Sequence, residues 1–318
     1  MKKTPQDTAV IGAKKLSFKD KAENVLKCWQ LYAFLLPALV ILILFSYVPM
    51  YGVQLAFRDY NPIMGITGSP WVGFEHFTRF FNSYQFKQLI GNTLILSLYS
   101  LIVGFPIPII LALALNQVKN SKFKKLVQTV TYAPHFISVV VLVGMLGIFF
   151  SVNGGLVNEV IKLFGGEPKL FMGEVKYFRH MYVWSGIWQS MGWSAVIYLA
   201  ALSGVSPELH EAATVDGATK LQRIWNIDLP TILPTIVTLL ILNCGSVMSM
   251  GFEKAFLMQN PLNMENSEII ATYVYKMGLI NAEYGFSTAV GLFNSIINCI
   301  LLVTVNKVSK KIGQDGLW

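Results

Sequence analysis

The chain has 318 residues, 54% of them hydrophobic and 13% charged, with a mean hydropathy of +0.53. Soluble domains carry roughly 25% charged residues, so this chain cannot clothe a single core in a water-compatible surface, and a polytopic membrane protein is expected. The net charge of +8 does not argue for nucleic-acid binding, because the lysines gather at the two ends and in one short loop beside apolar runs, which is how membrane orientation is encoded.

Residues 1–29 are basic and read as a cytoplasmic N-terminal segment. The first apolar run follows, and no small-residue cleavage site comes after it, so it is expected to stay as an anchor. Six stretches reach the roughly 20 apolar residues a helix needs to cross a bilayer: 30–50, 92–116, 131–150, 181–203, 231–252 and 286–306. They are predicted as helices because lipid cannot satisfy open backbone polar groups. The region 30–306 is therefore read as a six-helix transmembrane domain, and 307–318 as a cytoplasmic tail. Pro106, Pro108 and Pro134 should kink the second and third spans.

Between the first two spans, Trp71, Phe74, Phe77, Phe80, Phe81 and Phe86 stand among polar residues. Such aromatics suit the headgroup level, with a short interfacial helix between Gly73 and Asn82. Residues 151–180 and 253–285 are further loops on that side, with turns at Gly154-Gly155, Gly165-Gly166 and Pro168. Alternating the spans puts sixteen of the 25 Lys and Arg on one side and nine on the other. The richer side holds both termini, Lys119 to Lys125, and Lys220 with Arg223, and is assigned to the cytoplasm. Cys28, Cys244 and Cys299 show no metal or redox spacing and read as small apolar fillers.

The loop 204–230 carries the sharpest signal. Glu211-Ala212-Ala213 is followed by Gly217 and then by Ile227-Asp228-Leu229-Pro230. Ser206-Pro207-Glu208 reads as a helix start, in which serine caps free N–H groups, proline suits the first turn and glutamate favours the positive end. The helix should run to about Asp216, with Gly217 in a left-handed turn. A second short helix follows, with Leu221, Ile224 and Trp225 on one side, and Pro230 and Pro234 set the entry to the fifth span.

This spacing resembles the cytoplasmic coupling loop of permease subunits in binding-protein-dependent ABC importers. Tyr47-Val48-Pro49-Met50-Tyr51-Gly52, Trp71-Val72-Gly73-Phe74, Asn92-Thr93-Leu94 and Tyr132-Ala133-Pro134-His135-Phe136 point to the carbohydrate-uptake branch, similar to maltose permeases and to the oligosaccharide and polysaccharide permeases called LplB-like. Asn260-Pro261, Thr272-Tyr273-Val274-Tyr275, Thr288-Ala289-Val290-Gly291-Leu292-Phe293 and Gly316-Leu317-Trp318 match as well. The resemblance implies an all-α integral membrane protein with the type I ABC importer permease fold, in a bacterial cell membrane. It implies a second homologous permease, a dimer of ABC ATPase subunits and an extracytoplasmic sugar-binding protein as partners. ATP would be used by the ATPase, with no cofactor, metal or catalytic residue in this chain. Glu211, Ala212, Ala213, Asp216 and Gly217 would lie at the ATPase contact, and Ile227, Leu229 and Pro230 would anchor the loop.

A secondary transporter is the alternative. Its ion coupling would need charged groups at mid-membrane, yet the six predicted spans contain no Asp, Glu, Lys or Arg, and His135 is their one ionisable side chain of that kind. A membrane enzyme fits less well: His76, His135, His180 and His210 are scattered, Asp59 and Glu75 have no positioned counterpart, and there is no GxxxxGK[ST] phosphate loop. For a sugar path, Trp193, Asn243, Ser246 and Asn294 are the candidates, with Trp188, Gln189 and Asn298 beside them. Aromatic faces cover sugar rings and amides bond hydroxyls. The same residue types also serve in helix–helix hydrogen bonds.

Overall fold

The computed structural model describes residues 29–249 and 251–311. Almost all of the expected N-terminal segment, Cys28 and the Gly316-Leu317-Trp318 match lie outside the described residues. Among them the regular structure is helical, apart from one antiparallel bridge between Arg58 and Trp71. It forms two compact units, Met1–Gln54 and Leu55–Trp318.

The first unit contributes α1 (Trp29–Leu42), which continues through a π-helical turn at Ile43–Tyr47. The second unit carries α2 (Glu75–Phe81), α3 (Phe86–Gly104), α4 (Pro106–Asn116), α5 (Ser121–Tyr132), α6 (Val139–Phe149), α7 (Leu156–Leu163) and α8 (Val175–Leu202). It continues with α9 (Pro207–Val215), α10 (Lys220–Arg223), α11 (Leu229–Gly245), α12 (Phe252–Met258), α13 (Ile270–Tyr275) and α14 (Tyr284–Lys311).

Four helical runs are long and apolar enough to cross a membrane: Trp29–Phe57, Phe86–Asn116, Lys220–Gly245 and Tyr284–Lys311. Ser121–Phe136 and Val139–Phe149 would make a fifth if counted together, but they bend by 101°. The kink expected at Pro134 in the span 131–150 is thus a full break in the helix. Pro134 sits in a 3-10 turn, Ile137 and Ser138 are extended, and the Ser138 side chain caps α6 by accepting from Val141 N–H. With 11 residues, α6 is about 16 Å long at 1.5 Å per residue, well short of the roughly 30 Å hydrocarbon core. The helix matching the expected fourth span, α8, has 28 residues. Lys176, Arg179, His180, Gln189 and its serines lower its hydropathy, and it is not among the runs apolar enough to qualify by composition.

Helix α8 is nevertheless the centre of packing in the second unit, against α3, α4, α5, α11 and α12. Lipid is as apolar as leucine, so close approach and hydrogen bonds drive helix association here. Gly192 illustrates the first: a Cβ there would fall 2.1 Å from the Thr131 carbonyl oxygen of α5. Gln189 illustrates the second. Its Nε2 donates to the Ile137 carbonyl at 2.7 Å, a group freed by the helix break. Leu96, Phe178, Met181, Ile187, Ala255 and Met258 form the largest buried cluster, around the α8–α12 contact.

The aromatic region is partly core. Phe80 is fully buried, meeting Phe86, Phe286 and Phe293 edge-on, whereas Trp71, Phe74 and Phe81 stay exposed. The segments assigned to the side opposite the cytoplasm also meet one another. Arg79 pairs with Glu283 at 2.6 Å, Arg179 donates to Asn92 and Asn266, and Asn260 and Asn263 donate to the Met172 carbonyl.

Candidate coupling loop and cavity

Helix α9 begins as its sequence dictates. Ser206 is extended, its hydroxyl accepts from Glu208 N–H, and Pro207 occupies the first turn; such a cap contributes about 1 kcal/mol. It ends in a complete Schellman motif. Gly217 has φ +79°, its N–H bonds the Thr214 carbonyl at 3.1 Å, and Ala218 N–H bonds the Ala213 carbonyl at 2.8 Å. Thr219 and Gln222 then form a capping box that starts α10 at once. Arg223 donates to the Thr214 hydroxyl, tying the two short helices together.

Glu211, Ala212, Asp216 and Gly217 are exposed, and Ala213 is half-buried. Glu211 makes no ion pair or side-chain hydrogen bond among the described residues. Leu209, Val215, Leu221 and Trp225 are exposed on the same loop. Beyond them, Ile227 and Leu229 are half-buried and Pro230 is exposed.

Asp228, the open position of the I-x-L-P ending, has a role that the motif spacing does not reveal. It closes a π-helical stretch, Ile224–Asp228, and is fully buried. Its carboxylate accepts from Gln117 Nε2 at 2.9 Å and, at the outer limit, from Asn116 Nδ2 at 3.5 Å. His210 Nε2 lies 3.1 Å from Oδ1. Helix α9, the end of α4 and the start of α11 thus converge on one carboxylate. A histidine one residue before the Glu211 motif was the available signal, but its partner is 18 positions away. The helix that carries Asp228 runs unbroken from Lys220, so the fifth apolar run starts earlier than position 231 and includes an ionisable group.

A cavity of about 470 Å3 lies between α3, α4, α8 and α11, within the usual range for small-ligand sites. Trp193, Asn243 and Ser246 line it, with Tyr182, Tyr198 and Ser249. Trp193 stacks on His135, with ring centroids 4.7 Å apart and planes within 2°. Asn294 does not line this cavity; its Oδ1 is buried without a hydrogen-bond partner. Gln189 serves the helix break, and Asn298 is tied to Met248 N–H and to the Ser249 hydroxyl. Trp188 lines a separate apolar hollow on another face of α8. No His, Cys, Asp and Glu cluster among the described residues could hold a metal ion.

A two-helix loop thus joins α8 to α11, and a ligand-sized cavity lies between the helices. Residues 104–314 match the family of binding-protein-dependent transport system inner membrane components, and the chain belongs to that family. It is 46% identical to the polygalacturonan/rhamnogalacturonan transport system permease protein YteP of Bacillus subtilis, over 91% of this chain and 90% of the relative. It is 44% identical to protein LplB of the same organism, over 91% of each. A chain of the bacterial alginate ABC transporter, crystallised with an alginate pentasaccharide-bound periplasmic protein, superposes with a TM-score of 0.85 at 39% identity. That match covers 93% of this chain and 99% of the other. The fold is that of a type I ABC permease, in a multi-pass membrane protein.

Proposed function

We propose that this chain is one permease half of an ATP-driven importer of oligosaccharides in a bacterial cell membrane. A second, homologous permease completes the pathway, an extracytoplasmic binding protein delivers the sugar, and a dimeric ATPase docks on the loop 204–230. Six spans place both termini in the cytoplasm, with α8 as the fourth span and the broken α5–α6 pair within the third. The contacts fit this topology: the segments with an excess of lysine meet at Asp228, and the opposite segments meet around Arg79, Arg179 and Asn263.

The observation that carries this reading is the loop itself. It is rigid at both helix ends, anchored through Asp228, and turns an unpaired Glu211 and four bare apolar side chains outward. A free loop of this kind would be unstable against aggregation, so a protein partner should cover it. The carbohydrate cargo is supported by relatives named for polygalacturonan/rhamnogalacturonan, for arabinooligosaccharides and for the acidic polysaccharide alginate.

The test is mass spectrometry of the complex purified from native membranes in mild detergent. A second permease, an ATPase and a binding protein are expected. A chain that purifies alone and transports in vesicles without ATP would overturn the reading in favour of a secondary carrier.

A further inference from the structure

Helix α9 stands off the bundle. From Pro207 to Val215 every residue is exposed except His210 and Ala213, and no other helix packs extensively against it among the described residues. Its backbone leads to α8 at one end and to α10 at the other. Two side-chain links add to these. One is the hydrogen bond from Arg223 to the Thr214 hydroxyl, which stays within the loop. The other leaves the loop, where His210 Nε2 lies 3.1 Å from Asp228 Oδ1.

Asp228 is fully buried, and no Lys or Arg among the described residues lies within 4.0 Å of its carboxylate. His210 is therefore the one group there that can bring a positive charge. Protonated, or neutral with its proton on Nε2, the ring donates to the carboxylate. The remaining donors, Gln117 and Asn116, come from the end of α4. One turn further into the bundle, Ala112 of α4 and Ile232 of α11 share a buried cluster with Tyr198 and Leu202 of α8. Further along, the same three helices wall the cavity. A close-packed interior is stiff and passes a displacement on. A push on α9 thus enters the bundle where α4 and α11 are joined.

We propose that His210 is a positioning residue of the coupling loop, and that its bond to Asp228 delivers the movement of α9 to α4 as well as to α11. Backbone continuity through α10 already serves α11. Nothing in chain order serves α4, which α5 to α8 separate from the loop. This rests on the reading of the loop as the ATPase dock and adds the side chain that carries the movement inward.

The test is a spin-label distance in the whole complex, reconstituted in nanodiscs with its ATPase and binding protein. Labels go on Lys119→Cys, beyond the end of α4, and on Ser203→Cys, at the end of α8, in a chain lacking its own cysteines. Both positions are exposed. The distance is expected to change when the complex is trapped with ATP and vanadate. In His210→Leu that change should be lost while the ATPase stays bound, and His210→Lys, which keeps a cationic donor, should restore it. Leaving a buried charge without its partner is costly, so His210→Leu is also paired with Asp228→Asn. The double variant removes the charge and should assemble, and the change should stay lost. A full change in either leucine variant would mean that the pair only neutralises a buried carboxylate. A wild-type complex with bound ATPase and no change in this distance would overturn the inference and leave the importer standing. A permease that retains no ATPase would overturn both.

Discussion

Gly217 and Asp228 hold the loop in different ways. Gly217 has φ +79° with nothing within 4 Å of a would-be Cβ, so its constraint is backbone geometry and not space. A left-handed conformation costs an ordinary L-residue about 1–2 kcal/mol. Gly217→Ala is therefore expected to keep membrane insertion and lower sugar-stimulated ATP hydrolysis, and Gly217→Pro to abolish it. Full transport in Gly217→Pro would remove the loop from the mechanism. Asp228→Ala strips three side chains of their acceptor. Breaking a buried pair on one side costs about 3–5 kcal/mol, so a lowered melting temperature and weakened coupling should appear together in a thermal-shift and uptake assay. Gly217 was legible because turn chemistry is local. Asp228 was not, because Gln117 lies 111 positions away and only the folded chain brings it near.

At the level of elements, the short helices of the loop followed from sequence, since their caps lie within four residues of each end. The break between α5 and α6 did not. Pro134 announces a kink, but the 101° bend also needs the Ser138 cap and the reach of Gln189 across from α8. Gln189→Leu keeps the volume and leaves the Ile137 carbonyl unsatisfied, at a cost of about 1–3 kcal/mol. Reduced thermal stability with normal ATPase association is the expected result, and an unchanged melting temperature would show that the carbonyl finds another donor. The bare apolar side chains of the loop give a contrasting prediction. Trp225→Asp should leave stability within about 0.5 kcal/mol, as surface changes usually do. The amount of ATPase retained on the purified permease should fall several-fold.

For the whole molecule, composition and charge bias were enough to indicate a helical membrane protein, because each span must satisfy its own backbone. They did not show which charges are hidden: Lys254 and Asp228 are both buried by elements distant in sequence. The six-span orientation can be checked directly. Tyr84 and Val215 are each 87% exposed and belong to segments assigned to opposite sides. In a chain lacking its own cysteines, Tyr84→Cys should react with an impermeant maleimide on intact spheroplasts. Val215→Cys should react only after permeabilisation. Labelling of both from outside would refute the orientation.

The buried carboxylate at Asp228 also sets an order of events in biogenesis. Helix α4 leaves the ribosome more than a hundred residues before Asp228. Until then the amides of Asn116 and Gln117 lack the acceptor they have in the folded chain, and Asp228 meets these donors only once it has been made. This end of the bundle can close only after the start of α11 has been made. A chain stalled before that point should present a ragged, protease-sensitive surface, and the completed chain a closed one, so the joint between loop and bundle doubles as a marker that synthesis has reached its final third.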